Sequence, residues 1–161
     1  MKIIYVHHGN RKKGNPSTQD DDLTEIGYKD CEVVAEILND DKLKPRVKAI
    51  YTSPYFRCRK TAEIINKYLN VDIINDDRLN EYVGSSGETW TDVQCRIIDI
   101  IDEIVEKYGD DDVVICVTSG VNVAGFIIKS FGLETSQETP FLWIPSCSPI
   151  IFDFKKGKWN D

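Results

Sequence analysis

The sequence is poor in several things, and each shortage excludes something. No apolar run approaches the ~20 residues needed to cross a bilayer, so no membrane span is expected. The N-terminus carries one lysine and then four apolar residues, too few for the core of a signal peptide. Cations are outnumbered: the formal charge is −7, which argues against bulk attraction to nucleic acid or an anionic membrane but leaves room for a small cationic pocket. The five cysteines (Cys31, Cys58, Cys95, Cys116 and Cys147) are odd in number and widely spaced, with no C-x-x-C. That pattern fits reduced thiols in a cytoplasmic protein, and neither a disulfide framework nor a zinc site. No metal or other cofactor is expected. There are no repeats and no low-complexity linker, so residues 1–161 read as one domain, long enough to bury roughly two thirds of its extended surface.

Histidine is the scarcest of the catalytic residue types. The only two, His7 and His8, are neighbours, placed where the apolar run Ile3–Val6 breaks into Gly9 and a basic loop.

Short β-branched runs alternate with longer amphipathic ones. Strands are predicted at Lys2–Val6, Val47–Thr52, Val71–Ile74 and Val113–Thr118, with late strands at Phe141–Ile144 and Ile150–Phe154. The run Val113–Thr118 is nearly all apolar, as a strand covered on both faces should be. Helices are predicted over Glu25–Leu38 behind a Thr24 cap, with Ile26, Val33, Val34, Ile37 and Leu38 at helical spacing, and from Ser53-Pro54 to about Leu69, with Ser53 as cap and Pro54 at the first position. Two more run over Thr91–Lys107, with a Val93/Ile97/Ile100/Ile101/Ile104 stripe, and Val121–Phe131; Lys155–Trp159 reads as a terminal turn. The alternation implies a three-layer α/β/α sandwich with a mostly parallel mixed sheet. Ligands of such sheets bind beyond the carboxyl ends of the strands.

That rule gathers His7-His8-Gly9, then Ser53 with the basic cluster Arg57, Arg59 and Lys60, then Arg78, Glu81 and Glu88, then Thr118-Ser119-Gly120. Imidazole, guanidinium and helix N-termini suit a phosphate group. Neutral histidine is a competent nucleophile toward phosphorus, and a carboxylic acid such as Glu81 can protonate the leaving oxygen. Each residue taken alone has a plainer reading: Ser119 as a helix cap, Glu81 as a solvated loop carboxylate, Ser-Pro as a capped helix start. Their shared location carries the weight. A serine hydrolase built on Ser119 is disfavoured, because the nucleophile elbow needs glycines where Val117 and Val121 stand. A metal held by His7 and His8 is disfavoured too, because adjacent strand residues point to opposite faces.

At these residues the chain resembles the histidine phosphatase superfamily, with its phosphoglycerate mutase-like fold. The blocks occur in family order over nearly the whole chain. His7-His8-Gly9 stands for Arg-His-Gly, Leu23-Thr24-Glu25-Ile26-Gly27 for Leu-Thr-x-x-Gly, and Ser53-Pro54-Tyr55-Phe56-Arg57-Cys58-Arg59-Lys60-Thr61-Ala62 matches Ser-Pro-x-x-Arg-x-x-x-Thr-Ala in full. Leu79-Asn80-Glu81 and Val117-Thr118-Ser119-Gly120 come next, the latter for a strand ending in Ser-His-Gly. The resemblance implies His8 as the phosphate-accepting nucleophile, Glu81 as the acid, and a phosphate pocket of His7, Gly9, Arg57, Ser119 and Gly120, working without metal on a small phosphorylated substrate. Two departures stand out. His7 replaces the family's first arginine and Ser119 its second histidine; the usual Thr and Asn after Arg-His-Gly also lack clear counterparts among Asn10, Arg11 and Asn15. Losing two contacts to a charged phosphoryl group removes roughly 3–6 kcal/mol, or about 10²–10⁴ in rate. A protonated His7, or Arg11, Lys12 and Lys13 reaching over the mouth, would offset part of this. The expectation is therefore a weak or specialised phosphomonoesterase; the alternative is a catalytically silent phospho-ligand- or protein-binding module on the same fold. A mutase is disfavoured by the short chain. The acidic stretch Gln19–Asp22 near the entrance disfavours polyanions, and Trp143 is expected to pack in the core.

Overall fold

The structure is a computed structural model that describes residues 1–14, 18–82, 87–132 and 142–154. Five strands, β1 (Lys2–His7), β2 (Val47–Thr52), β3 (Asp72–Asn75), β4 (Val113–Thr118) and β5 (Pro149–Asp153), form one sheet in the order β3-β2-β4-β1-β5. All neighbours are parallel except β5, which runs antiparallel to β1 at the edge. The central strand β4 is buried at every residue, as its continuous apolar run requires.

Four helices cover the sheet: α1 (Glu25–Leu38), α2 (Phe56–Leu69), α3 (Trp90–Lys107) and α4 (Gly120–Ser130). The period-2 alternation of the strands splits the core in two. Ile4, Val6, Ile115 and Val117 face α1 and α2, whereas Ile3, Tyr5, Val114 and Cys116 face α3 and α4. The α3 stripe Val93, Ile97, Ile100, Ile101 and Ile104 is wholly buried, each side chain contributing roughly 1.5–3 kcal/mol. The expected three-layer α/β/α sandwich with a mixed, mostly parallel sheet is the fold observed.

Several local expectations are corrected. On α1 only Val34 and Leu38 of the predicted stripe are buried; Ile26, Val33 and Ile37 are exposed, and Cys31, Ala35 and Gly27 complete the inner face. Helix α2 starts at Phe56, not Pro54. Ser53 does not cap it; its hydroxyl donates to Asn80 Oδ1 at 2.7 Å and accepts weakly from Tyr55 N–H at 3.3 Å. Residues 142–144 are not a strand, because β5 already pairs with the edge that β1 offers; Phe141 and the predicted turn Lys155–Trp159 lie outside the described residues. Trp143 is 73 % exposed and belongs to no core.

The Leu-Thr-x-x-Gly block has a direct physical role. Leu23 is fully buried, and Thr24 caps α1 by accepting from Gly27 N–H at 2.9 Å. A side chain on Gly27 would sit 2.2 Å from the Asn10 carbonyl. Only a glycine lets the helix press against the backbone that leaves β1.

Candidate functional site

Strand β1 ends at His7, opposite Thr118 of β4, and the His8 N–H makes one more ladder bond, to Thr118 O at 3.0 Å. The side chains then leave the strand pattern. The His7 and His8 rings do not point to opposite faces; they meet edge to face with centroids 4.6 Å apart. Strand alternation fails here because the strand is over.

His8 is 4 % exposed. Its Nδ1 lies 2.8 Å from the Gly9 carbonyl, which can only accept, so Nδ1 carries the proton. Nε2 is then the lone-pair nitrogen, and Arg57 Nε donates to it at 3.1 Å. Burial, reinforced by the neighbouring His7, lowers the His8 pKa to about 3. The imidazole is therefore neutral across the physiological range.

Arg57 comes from the first turn of α2 and is 2 % exposed. Besides His8 it donates from Nη1 to Thr18 O at 3.2 Å and from Nη2 to Glu81 Oε2 in a short ion pair. Its guanidinium also lies 4.8 Å from the centroid of the Tyr55 ring. A buried cation needs such partners, since an unpaired one is costly. The backbone leading into Glu81 is pinned: Asn122 Nδ2 donates to the carbonyls of Leu79 (3.0 Å) and Asn80 (2.8 Å), and Thr118 Oγ1 donates to Leu79 O (2.6 Å). Ser53 ties the Asn80 side chain from the other flank. The Glu81 carboxylate, the Arg57 guanidinium and the His8 ring thus form one connected chain.

The second half of the site is different. Ser119 is buried and caps α4, accepting from Asn122 N–H at 3.4 Å. Gly120 abuts the His7 ring: a β-carbon there would lie 2.9 Å from His7 Cε1. His7 Nδ1 donates to the Ile144 carbonyl at 2.8 Å. Its pKa is lowered, first by burial, with the Ile144 and Pro145 carbonyls opposing. A permanent cation in place of the expected arginine is therefore not what burial gives. The Gly9 N–H is taken by Thr61 Oγ1 at 3.0 Å and its carbonyl accepts from the His8 ring, so Gly9 orients His8 through its backbone.

Other residues grouped by sequence lie apart from this chain of contacts. Arg59 rests on the Phe56 ring and Lys60 pairs with Glu63. Arg78 pairs with Asp76 and Glu103, and Glu88 with Arg96. Arg11 and Lys12 pair with Asp21 and Asp22, which neutralises part of the acidic stretch, although the Arg11 charge still reaches His8 and helps to lower its pKa. Asn122 and Thr61 escaped the sequence reading. Asn122 left a signal, a lone amide inside the apolar run Val121–Ile128; Thr61 left only its place in the Ser-Pro block. No group of three or more His, Cys, Asp or Glu among the described residues could hold a metal ion.

The same arrangement of elements occurs in solved structures. Over 97 % of this chain and 92 % of theirs, it superposes on Bacillus stearothermophilus YhfR (TM-score 0.82, 22 % identity) and on a phosphoserine phosphatase mutant of Entamoeba histolytica in complex with phosphoserine (TM-score 0.75, 16 % identity). Among curated proteins it is 29 % identical over 116 residues to phosphoserine phosphatase 1 of Hydrogenobacter thermophilus (strain DSM 6534 / IAM 12695 / TK-6), a match covering 69 % of this chain and 48 % of that protein. The chain spans about half the length, or less, of the curated relatives it matches. The family model for the histidine phosphatase superfamily (branch 1) matches residues 3–86 and 82–160, which takes in both halves of the site. A neutral histidine after the first strand, oriented by the following glycine and facing a buried arginine, is thus found in a chain that belongs to the histidine phosphatase superfamily.

Proposed function

We propose that the chain is a phosphomonoester hydrolase acting through a phosphohistidine on His8, with weak or specialised activity. The observation that carries this reading is the His8 ring: Nδ1–H bound to the Gly9 carbonyl, Nε2 free of a proton, and Arg57 Nε 3.1 Å from it. In the reaction Nε2 forms a bond to phosphorus while the ester P–O bond breaks; Glu81, which takes up the proton of the monoanionic phosphomonoester as Arg57 leaves it, gives that proton to the leaving oxygen. Water then attacks phosphorus, Glu81 takes the water's proton, and the N–P bond breaks to release phosphate. Arg57 exchanges its contacts with His8 and Glu81 for the phosphoryl oxygens. The named ligand and activity of the neighbours favour a small phosphorylated substrate of the phosphoserine kind.

Weak activity is the consequence of the second half of the site. With Nδ1 bound to Ile144, a neutral His7 presents only a lone pair at Nε2, which cannot donate to an anion. Phosphate affinity is therefore expected to rise as pH falls below about 6.5, the range into which burial moves His7, and a His7→Gln variant should lack that component. Equal pH dependence in both proteins would rule the assignment out.

The central test is turnover of p-nitrophenyl phosphate and phosphoserine, with trapping of acid-labile protein-bound phosphate. Wild type should turn over and label; His8→Ala should do neither. The paired His7→Arg/Ser119→His variant should gain at least about tenfold, since each restored charged contact contributes about 1.5–3 kcal/mol. No turnover in any of these proteins, with phosphate still bound, would replace the enzyme by the silent phosphate-binding module, which the uncharged second half of the site favours.

A further inference from the structure

Two thiols with no part in this chemistry touch beneath the nucleophile segment. Cys31 on α1 and Cys147 just before β5 are 116 residues apart in sequence, with sulfurs 3.4 Å apart. Both are buried, Cys31 fully and Cys147 at 8 % exposure. Each grips a different part of the His7–Gly9 backbone. The Cys147 N–H donates to the His7 carbonyl at 2.9 Å. The Cys31 sulfur lies 2.6 Å from where a Gly9 β-carbon would be, and its thiol donates to Thr61 Oγ1 at 3.5 Å, the same oxygen that accepts from Gly9 N–H. Cys147 also adopts a left-handed backbone conformation (φ +57°), uncommon for a residue with a side chain. The remaining cysteines differ in position: Cys95 is exposed, and Cys58 and Cys116 are buried, with burial raising their thiol pKa values as the Cys31 contact and burial raise that of Cys147.

We propose that Cys31 and Cys147 form a reversible disulfide, with hydrogen peroxide as oxidant, and that this bond displaces the His7–Gly9 segment. One sulfur attacks the peroxide O–O bond and becomes a sulfenic acid, the other oxygen leaving as water. The second sulfur then displaces the hydroxyl as a second water and the S–S bond forms. The two thiols lose two protons and two electrons, and one peroxide becomes two waters. Cys147, 8 % exposed against 0 % for Cys31, is the side from which peroxide reaches the pair. The thiol hydrogen bond between them lowers the pKa of Cys31 and raises that of Cys147, so Cys31 supplies the thiolate that starts the reaction. To bond, the sulfurs must close from 3.4 Å to about 2.05 Å. That closure draws Cys31 from Thr61 and moves the backbone of Cys147, which holds the His7 carbonyl and comes shortly after Ile144, the anchor of the His7 ring.

The test uses the whole chain and does not need it to be an enzyme. After peroxide treatment, non-reducing peptide mapping should recover a Cys31–Cys147 cross-link that dithiothreitol reverses. It should be absent from Cys147→Ser and unchanged in Cys95→Ser. Because the chain has two histidines, imidazole nitrogen NMR reads the segment directly: the His7 and His8 signals should shift on oxidation, return on reduction, and stay put in Cys147→Ser. Turnover, a readout that rests on the phosphatase reading, should fall about tenfold to a hundredfold, as a displacement near 1 Å at a reacting group does. Recovery of both thiols unmodified after Cys95 has been fully oxidised would overturn the cross-link. A cross-link with unmoved imidazole signals would overturn its coupling to the site. Absence of turnover in the reduced protein would count against the phosphatase reading alone, since the map and the spectra decide the proposal without it.

Discussion

β1 and β4 are hydrogen-bonded neighbours that end level with each other, His7 opposite Thr118. The segments that leave them contrast. Beyond β1 lies a connected set of charges and lone pairs: His8 to Arg57, and Arg57 to Glu81 and the Thr18 carbonyl. Beyond β4 lie a capping serine, a glycine pressed on His7, and an amide that fixes backbone. The first half holds a neutral imidazole and a buried cation. The second supplies position. That side needs no charge to hold its backbone, because helix capping and carbonyl pinning ask only for small polar groups.

The contrast can be broken from the charged side. Arg57→Ala removes every guanidinium contact, and the loss of two charge-assisted bonds to a phosphoryl group should lower kcat/KM by about 10²–10⁴. A change of less than about tenfold would mean that the two halves are equally inert.

Stability against pH sharpens it next. His8 has a pKa of about 3 in the folded state against 6.5 for the unperturbed residue. The stabilisation is complete above pH 6.5 and is lost as pH falls toward the folded value, by about 1.4 kcal/mol per unit. Between pH 6.5 and 4.5 wild type should lose about 2–3 kcal/mol more than His8→Gln in urea denaturation. His7, also lowered, acts in the same direction in both proteins. A wild-type-minus-variant difference that ignores pH would show that the ring is not buried in its neutral form.

The neutral side gives the smallest effect. Gly120→Ala puts a methyl group 2.9 Å from His7 Cε1, 3.0 Å from its Nδ1 and 3.2 Å from the Ile144 carbonyl. Overpacking of this kind should cost about 1–2 kcal/mol in a denaturation midpoint. In a His7→Ala background the two ring contacts are vacated and the penalty should fall, leaving only the contact with the Ile144 carbonyl; an undiminished penalty would mean that His7 is not what Gly120 accommodates.

Much of the molecule is legible in its sequence. The sheet, the four helices and the α3 stripe are set by periodicity, and His8, Arg57 and Glu81 do meet at the carboxyl ends of the strands. The errors fall where local pattern and tertiary contact disagree. Ile26, Val33 and Ile37 have helical spacing but lie outside the face that α2 covers. Ser53-Pro54 has the form of a helix start, yet Asn80 takes the serine hydroxyl and the helix begins later. Arg78 and Arg11 are cations near the site in sequence, but nearer carboxylates claim them.

The amino-acid sequence by itself determined the alternating elements, the buried central strand and the order of the motif blocks, because hydrophobic period and turn chemistry act over a few residues. Only the tertiary structure decided which charges meet, which histidine nitrogen keeps its lone pair, and that Cys31 and Cys147 touch. Those depend on burial and on partners dozens of residues away, and desolvation and directed hydrogen bonds have no local signature in a chain.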